Sequence, residues 1–270
     1  MGVITIDLHL HTNFSDGKLP LHKVVDLCGN AGLDAIAVTD HLCTTDHLLG
    51  KSARFLDITL TEKNWPTYFR ELEKQRNRAW RDYKMLVFTG VEYTHNTFFH
   101  KRNAHMLAID VKEFISPALG ELEWLKVARE QGALTVAAHP LKIKDASSQT
   151  YYLLENQKIF SPFIDLWEVA NARTFWRQML KTPFSLIASS DLHVASRWAS
   201  WRTEINCEKD PEAIKAYLKD PSSQRNFVFM YGKKDEIKNR ITQPSLRDGG
   251  PDVFSNHYDS INTYWASSNP

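Results

Sequence analysis

The chain is poor in cysteine, in net charge and in long apolar runs, and each shortage removes a class of protein. Its three cysteines, Cys28, Cys43 and Cys207, are far apart and odd in number. They match neither a disulfide framework nor a CxxC zinc or redox pair, so a reducing compartment, the cytoplasm, is the expectation. The formal net charge of +1 offers no broad field for nucleic acid or an anionic membrane. No apolar window approaches the length of a membrane span. The opening "VITIDLHLH" is too short and turns acidic too soon for a signal peptide, and Ile6 stands where a myristoylation pattern wants Ser or Thr. A Ser/Gly-rich linker is also missing through residue 240. One domain over residues 1–243 is therefore expected, followed by a polar tail at 244–270 that either packs on the body or hangs free.

What is present is an ordinary globular composition. With 43% hydrophobic residues among 270, a single large α/β core is within reach. Short apolar runs alternate with segments of helical spacing, the pattern of βα repetition around a mainly parallel sheet. The strands are expected in "VITIDLHLH", "DAIAVTDH", "MLVFTGVEY", "NAHMLAID", "ALTVAAHP", "IDLWEVAN" and "FSLIASSDLH". Helices are expected at Pro20–Ala31, Glu62–Tyr83, Leu119–Gln131, Thr150–Phe160, Arg173–Lys181 and Pro211–Leu218, with Gly32 stopping the first and a further strand at "NFVFMY".

Polar residues gather at the ends of these runs. His9 and His11 stand two apart and so share one side of the first strand. Asp16 lies in the turn that follows, His41 ends the second run, Glu92 the third, His139 the fifth, and Asp191 and His193 the last. In a parallel α/β sheet or barrel the carboxyl ends of the strands share one face, where active sites are built. His105 is the exception. It precedes most of its apolar run, so that strand either runs against the others or begins earlier. Imidazole mixed with carboxylate suits Zn, Mn or Fe rather than Mg or Ca. Nine such donors exceed the needs of one tetrahedral ion and point to two or three ions close together.

The motifs "DLHLHTNFSDG", "AIAVTDH", "GVE", "NAH", "AAHP" and "SSDLH" resemble those of the polymerase and histidinol phosphatase (PHP) family. The resemblance runs from Asp7 to His193 and implies a distorted (β/α)7, TIM-like barrel with up to three metals at its C-terminal mouth. Carried over residue by residue, it implies that His9, His11, Asp191 and a bridging Glu92 hold one ion. Glu92, His105 and His139 would hold a second, and Asp16, His41 and His193 a third.

Paired cations roughly 3.5–4 Å apart leave a hydroxide at neutral pH that can attack phosphorus, so the expected activity is hydrolysis of a small phosphorylated molecule, a monoester or a diester. Glu92 and Asp191 belong to the catalytic set, His193 adds a second role as proton donor to the leaving group, and Asp40 is expected behind His41 rather than on a metal. Arg173, Arg197 and Lys142 (with Lys144 beside it) are the candidates for binding substrate phosphate, since a guanidinium offers paired donors. Trp198, Trp201, Phe175 and Trp176 are read as rim packing, with base stacking as the alternative. His22, His47, His95, His100 and His257 are taken as surface, loop or tail residues. The basic stretch Glu73–Lys84 is taken as a solvated helix face. Two other functions stay open: an amidohydrolase-type metal hydrolase, and a metal-stabilised binding domain without turnover. Substrate, resident metal and oligomeric state are not legible.

Overall fold

A computed structural model of the protein describes residues 2–44, 52, 58–97, 102–141, 150–233 and 237–243. Its strands are β1 (Gly2–Leu10), β2 (Ala35–Val38), β3 (His41–Cys43), β4 (Leu86–His95), β5 (Ala104–Ile109), β6 (Leu134–Ala137), β7 (Leu166–Asn171), β8 (Thr174–Phe175), β9 (Leu186–Ser189), β10 (Ser200–Cys207), β11 (Arg225–Met230) and β12 (Ile237–Thr242). Its α-helices are α1 (Leu21–Asn30), α2 (Trp65–Tyr83), α3 (Glu121–Glu130), α4 (Tyr152–Glu155), α5 (Gln157–Phe160) and α6 (Pro211–Lys219).

The strands make a curled, mixed sheet in which β1, β2, β4, β5, β6 and β7 are successive neighbours and β9 pairs with β7. The curl brings its end back to its start: Leu10 and Leu192 form a parallel bridge, and the His11 amide donates to the Leu192 carbonyl at 3.0 Å. β10, β11 and β12 extend the sheet antiparallel from the other edge of β1. The strict βα alternation of an ideal barrel is broken at β5, which runs antiparallel to both β4 and β6. This inversion explains why His105 opens its strand while the other candidate donors close theirs. The start of an inverted strand lies at the same end of the sheet as the finish of its neighbours.

Local chemistry accounts for the helices. In α1, Leu21, Val24, Val25 and Cys28 form one buried stripe at helical spacing, and Gly32 at φ 84° ends the run. α2 buries Trp65, Tyr68, Leu72, Gln75 and Ala79, and the Tyr68 hydroxyl donates to the carbonyls of Val38 and Gly90 at 3.0 and 2.8 Å. The Asp210 carboxylate caps α6 by accepting from the amides of Glu212 and Ala213. The basic stretch 73–84 lies on α2, where Arg78 pairs with Asp26 and Arg76 donates to the Val87 carbonyl, so it serves as a helix surface tied to the body. No helix among the described residues is long and apolar enough to cross a membrane.

Two helix expectations fail, and a strand is added. Arg173–Lys181 is not a helix: Ala172 turns at φ 51°, β8 folds back on β7, and a short 3-10 turn follows at Arg177–Lys181. That turn lets Phe175 pack against Trp201 in a tilted contact, ring centres 4.7 Å apart, which a helix starting at Arg173 would prevent. Thr150–Phe160 breaks at Asn156 into α4 and α5. β10 was not expected, because "SWRTEINC" carries charges at alternate positions. Those charges are internal: Arg202 Nε meets Asp7 Oδ2 at 2.6 Å, and Glu204 meets Arg240 at 2.8 Å. The tail at 244–270 lies outside the described residues.

Two apolar layers hold the sheet. One fills the curl, with Ile6, Leu8, Phe88, Leu107, Val136 and Ile187. The other lies between the sheet and the helices, with Leu10, Ile36, Tyr68, Trp124 and Trp167. Each fully buried aliphatic or aromatic side chain contributes about 1.5–3 kcal/mol.

The Asp7–Arg202 pair is buried and joins β1 to β10, and Asp7 Oδ1 also accepts from the Ser190 amide at 3.0 Å. Asp7→Ala strands a guanidinium away from water and is expected to cost about 3–5 kcal/mol of stability by urea unfolding. A loss under about 1 kcal/mol would show that Arg202 finds other partners.

Candidate metal centre

Strand parity has to break for the donors to face inward, and it does. Ile4, Ile6 and Leu8 belong to the layer inside the curl, whereas Leu10 belongs to the outer layer. The β1–β2 register shifts between Asp7 and Leu10. This bulge puts His9 and His11 on the inner side directly after Leu8. His139 follows Ala138 at φ 31°, and Asp191 sits at φ 51°, so both leave their strands in left-handed conformations that L residues rarely adopt. Gly17 closes the loop after β1. A Cβ there would lie 2.7 Å from the backbone of His11 and Thr12, so the Asp16 turn tolerates no side chain.

All the expected donors come together. His9 Nε2, His11 Nε2, Glu92 Oε2 and Asp191 Oδ1 surround a common centre, with donor–donor separations of 3.1, 3.2, 3.3, 3.3 and 3.4 Å. Ligands about 2.0–2.1 Å from a tetrahedral ion stand roughly 3.3–3.4 Å from one another, and these five separations are of that size. Glu92 Oε1 faces the other way, 2.8 Å from His105 Nδ1 and 3.4 Å from His139 Nε2. Asp16 Oδ1 lies 3.5 Å from His41 Nε2 and 3.2 Å from His193 Nε2. Four overlapping groups of donors could each hold a metal: His11, Asp16, His41, His193; His9, His11, Glu92; His9, His139, Asp191; and Glu92, His105, His139.

The tautomers follow from what stands behind each ring. Thr150 Oγ1 donates its single proton to the His139 carbonyl at 2.5 Å, so it accepts from His139 Nδ1–H at 3.1 Å and leaves the Nε2 lone pair facing Glu92. Thr94 Oγ1 donates to the Glu92 carbonyl and accepts from His41 Nδ1–H at 2.7 Å. His105 Nε2–H donates to Asn96 Oδ1 at 3.0 Å, and His193 Nδ1–H to the Asp191 carbonyl at 3.0 Å. With the outer nitrogens bonded in this way, the inner nitrogens face carboxylate oxygens, a contact that needs positive charge, either a second ring proton or a cation. Glu92 Oε2 and Asp16 Oδ1 are buried against imidazole nitrogens, at 3.0–3.3 Å from those of His9, His11 and His41 and 3.2–3.5 Å from those of His193 and His41 respectively.

The electrostatics express the same need. Burial disfavours charge on Glu92 and Asp191, yet surrounding histidines, His41 and His9 foremost for Glu92 and His9 for Asp191, hold both far below the usual carboxylate range. Burial also opposes a proton on His9, but Glu168, Asp191 and Glu92 push its pKa well above the usual imidazole value. Against burial, Asp16 and Asp191 raise His193 to about 9. His105 drops to about 4, because burial outweighs the pull of Glu92.

Other expected residues are placed as follows. Asp40 is buried, but it stands behind the Asp16 loop rather than behind His41, whose Nδ1 meets Thr94. The Asp40 carboxylate accepts from the Thr12 amide and hydroxyl and from the Ser15 hydroxyl at 2.6–2.8 Å, and so shapes the loop that carries Asp16. Arg173 and Arg197 are exposed in the segments after β7 and β9, and Arg173 Nε lies 3.4 Å from the Ala199 carbonyl. Lys142 and Lys144 lie outside the described residues, as do His47, His100 and His257. Trp201 packs between Phe175 and Phe229, and Trp198 Nε1 donates to the Gly232 carbonyl, so these rings build the rim. His95 is no loop residue. It ends β4, buried, with Nδ1 2.8 Å from Glu121 Oε1. Glu168 in "IDLWEVAN" was missed. It is buried and reaches His9 Nδ1 at 3.0 Å and the His139 amide at 2.7 Å. Its one trace in the sequence is a carboxylate inside an otherwise apolar strand.

The His193 shift gives a pH test. A folded pKa raised above about 6.5 contributes stability that is complete below that pH and is lost as pH rises through about 9. In chelator-treated protein the melting temperature is expected to fall between pH 6.5 and 9, whereas metal-loaded protein should show no such fall. Equal profiles with and without chelator would mean that no cation takes over the charge of this proton.

Residues 7–177, well over half of the chain, match the model of the PHP domain. Asp191 and His193 lie beyond the matched segment. Among solved structures, the chain is similar to a two-domain protein from Bacteroides vulgatus containing a predicted PHP-like metal-dependent phosphoesterase, with a TM-score of 0.60 and 19% identity. That alignment covers 83% of this chain and 64% of the other, so the chain spans less than two thirds of that relative. It is also similar to PsfC from Pseudomonas syringae PB-5123, with a TM-score of 0.53 and 17% identity over 86% of this chain and 93% of that one. At these identities the likeness establishes a shared fold. No curated protein matches the chain.

Proposed function

The chain belongs to the PHP domain family, and on that premise we propose that it is a metal-dependent phosphoesterase acting on a small phosphorylated molecule. The observation that carries this reading is the donor set at the sheet mouth, where imidazole nitrogens and carboxylate oxygens from several segments close to metal-ligand separations. His9, His11, Glu92 and Asp191 would hold one ion, Glu92, His105 and His139 a second, and Asp16, His41 and His193 a third. Zn, Mn or Fe suits this mixture. When bound, such ions supply Lewis acidity toward phosphate oxygens and a hydroxide nucleophile at neutral pH.

The chain's own residues do the rest. Glu92 divides its two oxygens between neighbouring groups and fixes their separation. Asp40 holds the loop that presents Asp16. His193, whose Nε2 faces Asp16 on the half-buried side of the cluster, would pass a proton to a leaving oxygen where that nitrogen is not committed to an ion. Arg173 and Arg197 follow the β7 and β9 ends, exposed, and would offer guanidinium donors to a phosphate. A complete donor set favours turnover over a passive binding domain. Glu92 at the bridging position favours phosphoester over amide hydrolysis, which commonly uses a carbamylated lysine there.

The first test is metal content by elemental analysis of untagged protein purified without chelator. Two to three equivalents of Zn, Mn or Fe are expected, falling in His105→Ala, together with metal-dependent hydrolysis of phosphomonoesters or small diesters. One equivalent or less after metal supplementation would return the chain to the binding-domain reading. Arg173→Ala is expected to raise KM or lower kcat several-fold, and an unchanged kcat/KM would remove Arg173 from the site.

A further inference from the structure

Glu168 is a carboxylate with no place in the donor set, yet it is buried at the end of the apolar interior, directly beneath that set. The β7–β9 register shifts between Glu168 and Ala170, and this bulge marks where β7 leaves regular pairing. Three donors from three segments converge on its two oxygens. Oε1 accepts from His9 Nδ1 at 3.0 Å. Oε2 accepts from the His139 amide at 2.7 Å and from Asn171 Nδ2 at 2.9 Å.

We infer that Glu168 is the positioning residue of the metal centre: one carboxylate that sets the tautomer of His9 and anchors the left-handed backbone of His139. The inference rests on the metal-centre reading given above. With Nδ1–H committed to Glu168, His9 presents a lone pair from Nε2 to His11, Glu92 and Asp191 at 3.1–3.4 Å. With its amide held by Oε2, His139 keeps the φ of 31° that turns its ring toward Glu92. His9 lies on β1 and His139 just past the end of β6, and they share a candidate group with Asp191. Glu168 therefore couples the two sides of the mouth through rigid hydrogen bonds rather than through an ion.

The donor count makes Glu168→Gln a discriminating substitution. The new side-chain amide has one acceptor oxygen and one NH2 group. If the oxygen keeps the His139 and Asn171 bonds, the NH2 faces His9 Nδ1, which must then give up its proton to Nε2. A proton on Nε2 points into the centre and competes with the ion. Shape and volume are unchanged, so a purely structural role would leave His9 alone.

The test uses the full chain, zinc-loaded, as wild type and as Glu168→Gln. Zinc retained per chain is measured at a series of buffered free-zinc concentrations, and the His9 ring is read by long-range 1H–15N imidazole correlation. Wild-type His9 is expected to be protonated on Nδ1. Glu168→Gln should weaken zinc binding about ten- to a hundredfold and lose the hydrogen-bonded His9 Nδ1–H signal expected of the zinc-loaded wild type. Equal zinc affinity in a folded Glu168→Gln variant overturns the inference. So does a wild-type His9 protonated on Nε2, a readout that stands even if the variant fails to fold. A wild type that takes up no zinc, manganese or iron overturns the metal-centre reading itself, whereas a wild type that binds zinc no better than Glu168→Gln overturns only the role of Glu168.

Discussion

Glu92 is a fully buried carboxylate ringed by imidazoles, with one oxygen toward His105 and His139 and the other toward His9, His11 and His41. Removing this much carboxylate from water, with Asp191 and Asp16 close by, is costly unless positive charge is supplied. Protons on the histidines can supply it in part. The partners behind His41, His105, His139 and His193 take up the outer ring nitrogens and turn the inner ones toward the carboxylates. The surroundings thus favour positive charge at the centre, and this preference organises the mouth of the sheet.

That preference has a cost in backbone regularity. The β1 bulge, the left-handed His139 and Asp191, and the side-chain-free turn at Gly17 each depart from ideal strand or loop geometry. Each departure also turns a donor toward the centre, the usual place for local strain in a functional site. The rest of the molecule holds these departures in place. The Asp7–Arg202 pair ties the base of β1 to β10 and to the Ser190 amide one residue before Asp191. Asp40 ties the Asp16 loop, and Glu168 ties His9 to His139. Buried polar residues outside the donor set therefore serve mainly to aim it.

Much of this was legible beforehand. HxH, DxH and single donors at the ends of apolar runs announced the site, and the misplaced His105 announced an inverted strand, which β5 is. Helices with a clear apolar stripe and a stop signal, such as α1, appeared where expected. Segments decided by distant partners did not. β10 hides behind Arg202 and Glu204, whose charges look solvent-facing until Asp7 and Arg240 are placed beside them. Arg173–Lys181 has helical composition, but packing Phe175 on Trp201 makes it a hairpin and a turn. His95 looked like a loop residue because its partner, Glu121, is distant in sequence.

The sequence alone determined which atoms could bind and at which strand ends they stand, because residue type and the two-residue strand period are local properties. Tertiary structure alone decided how those atoms are aimed: which oxygen of Glu92 serves which neighbour, which nitrogen of each histidine carries the proton, and that Glu168 belongs to the site at all. These depend on hydrogen bonds between residues far apart along the chain, such as the one between His9 and Glu168. Spacing within one chain does not encode such meetings, because they exist only once the sheet has curled and brought β1 beneath the same mouth as β6 and β7.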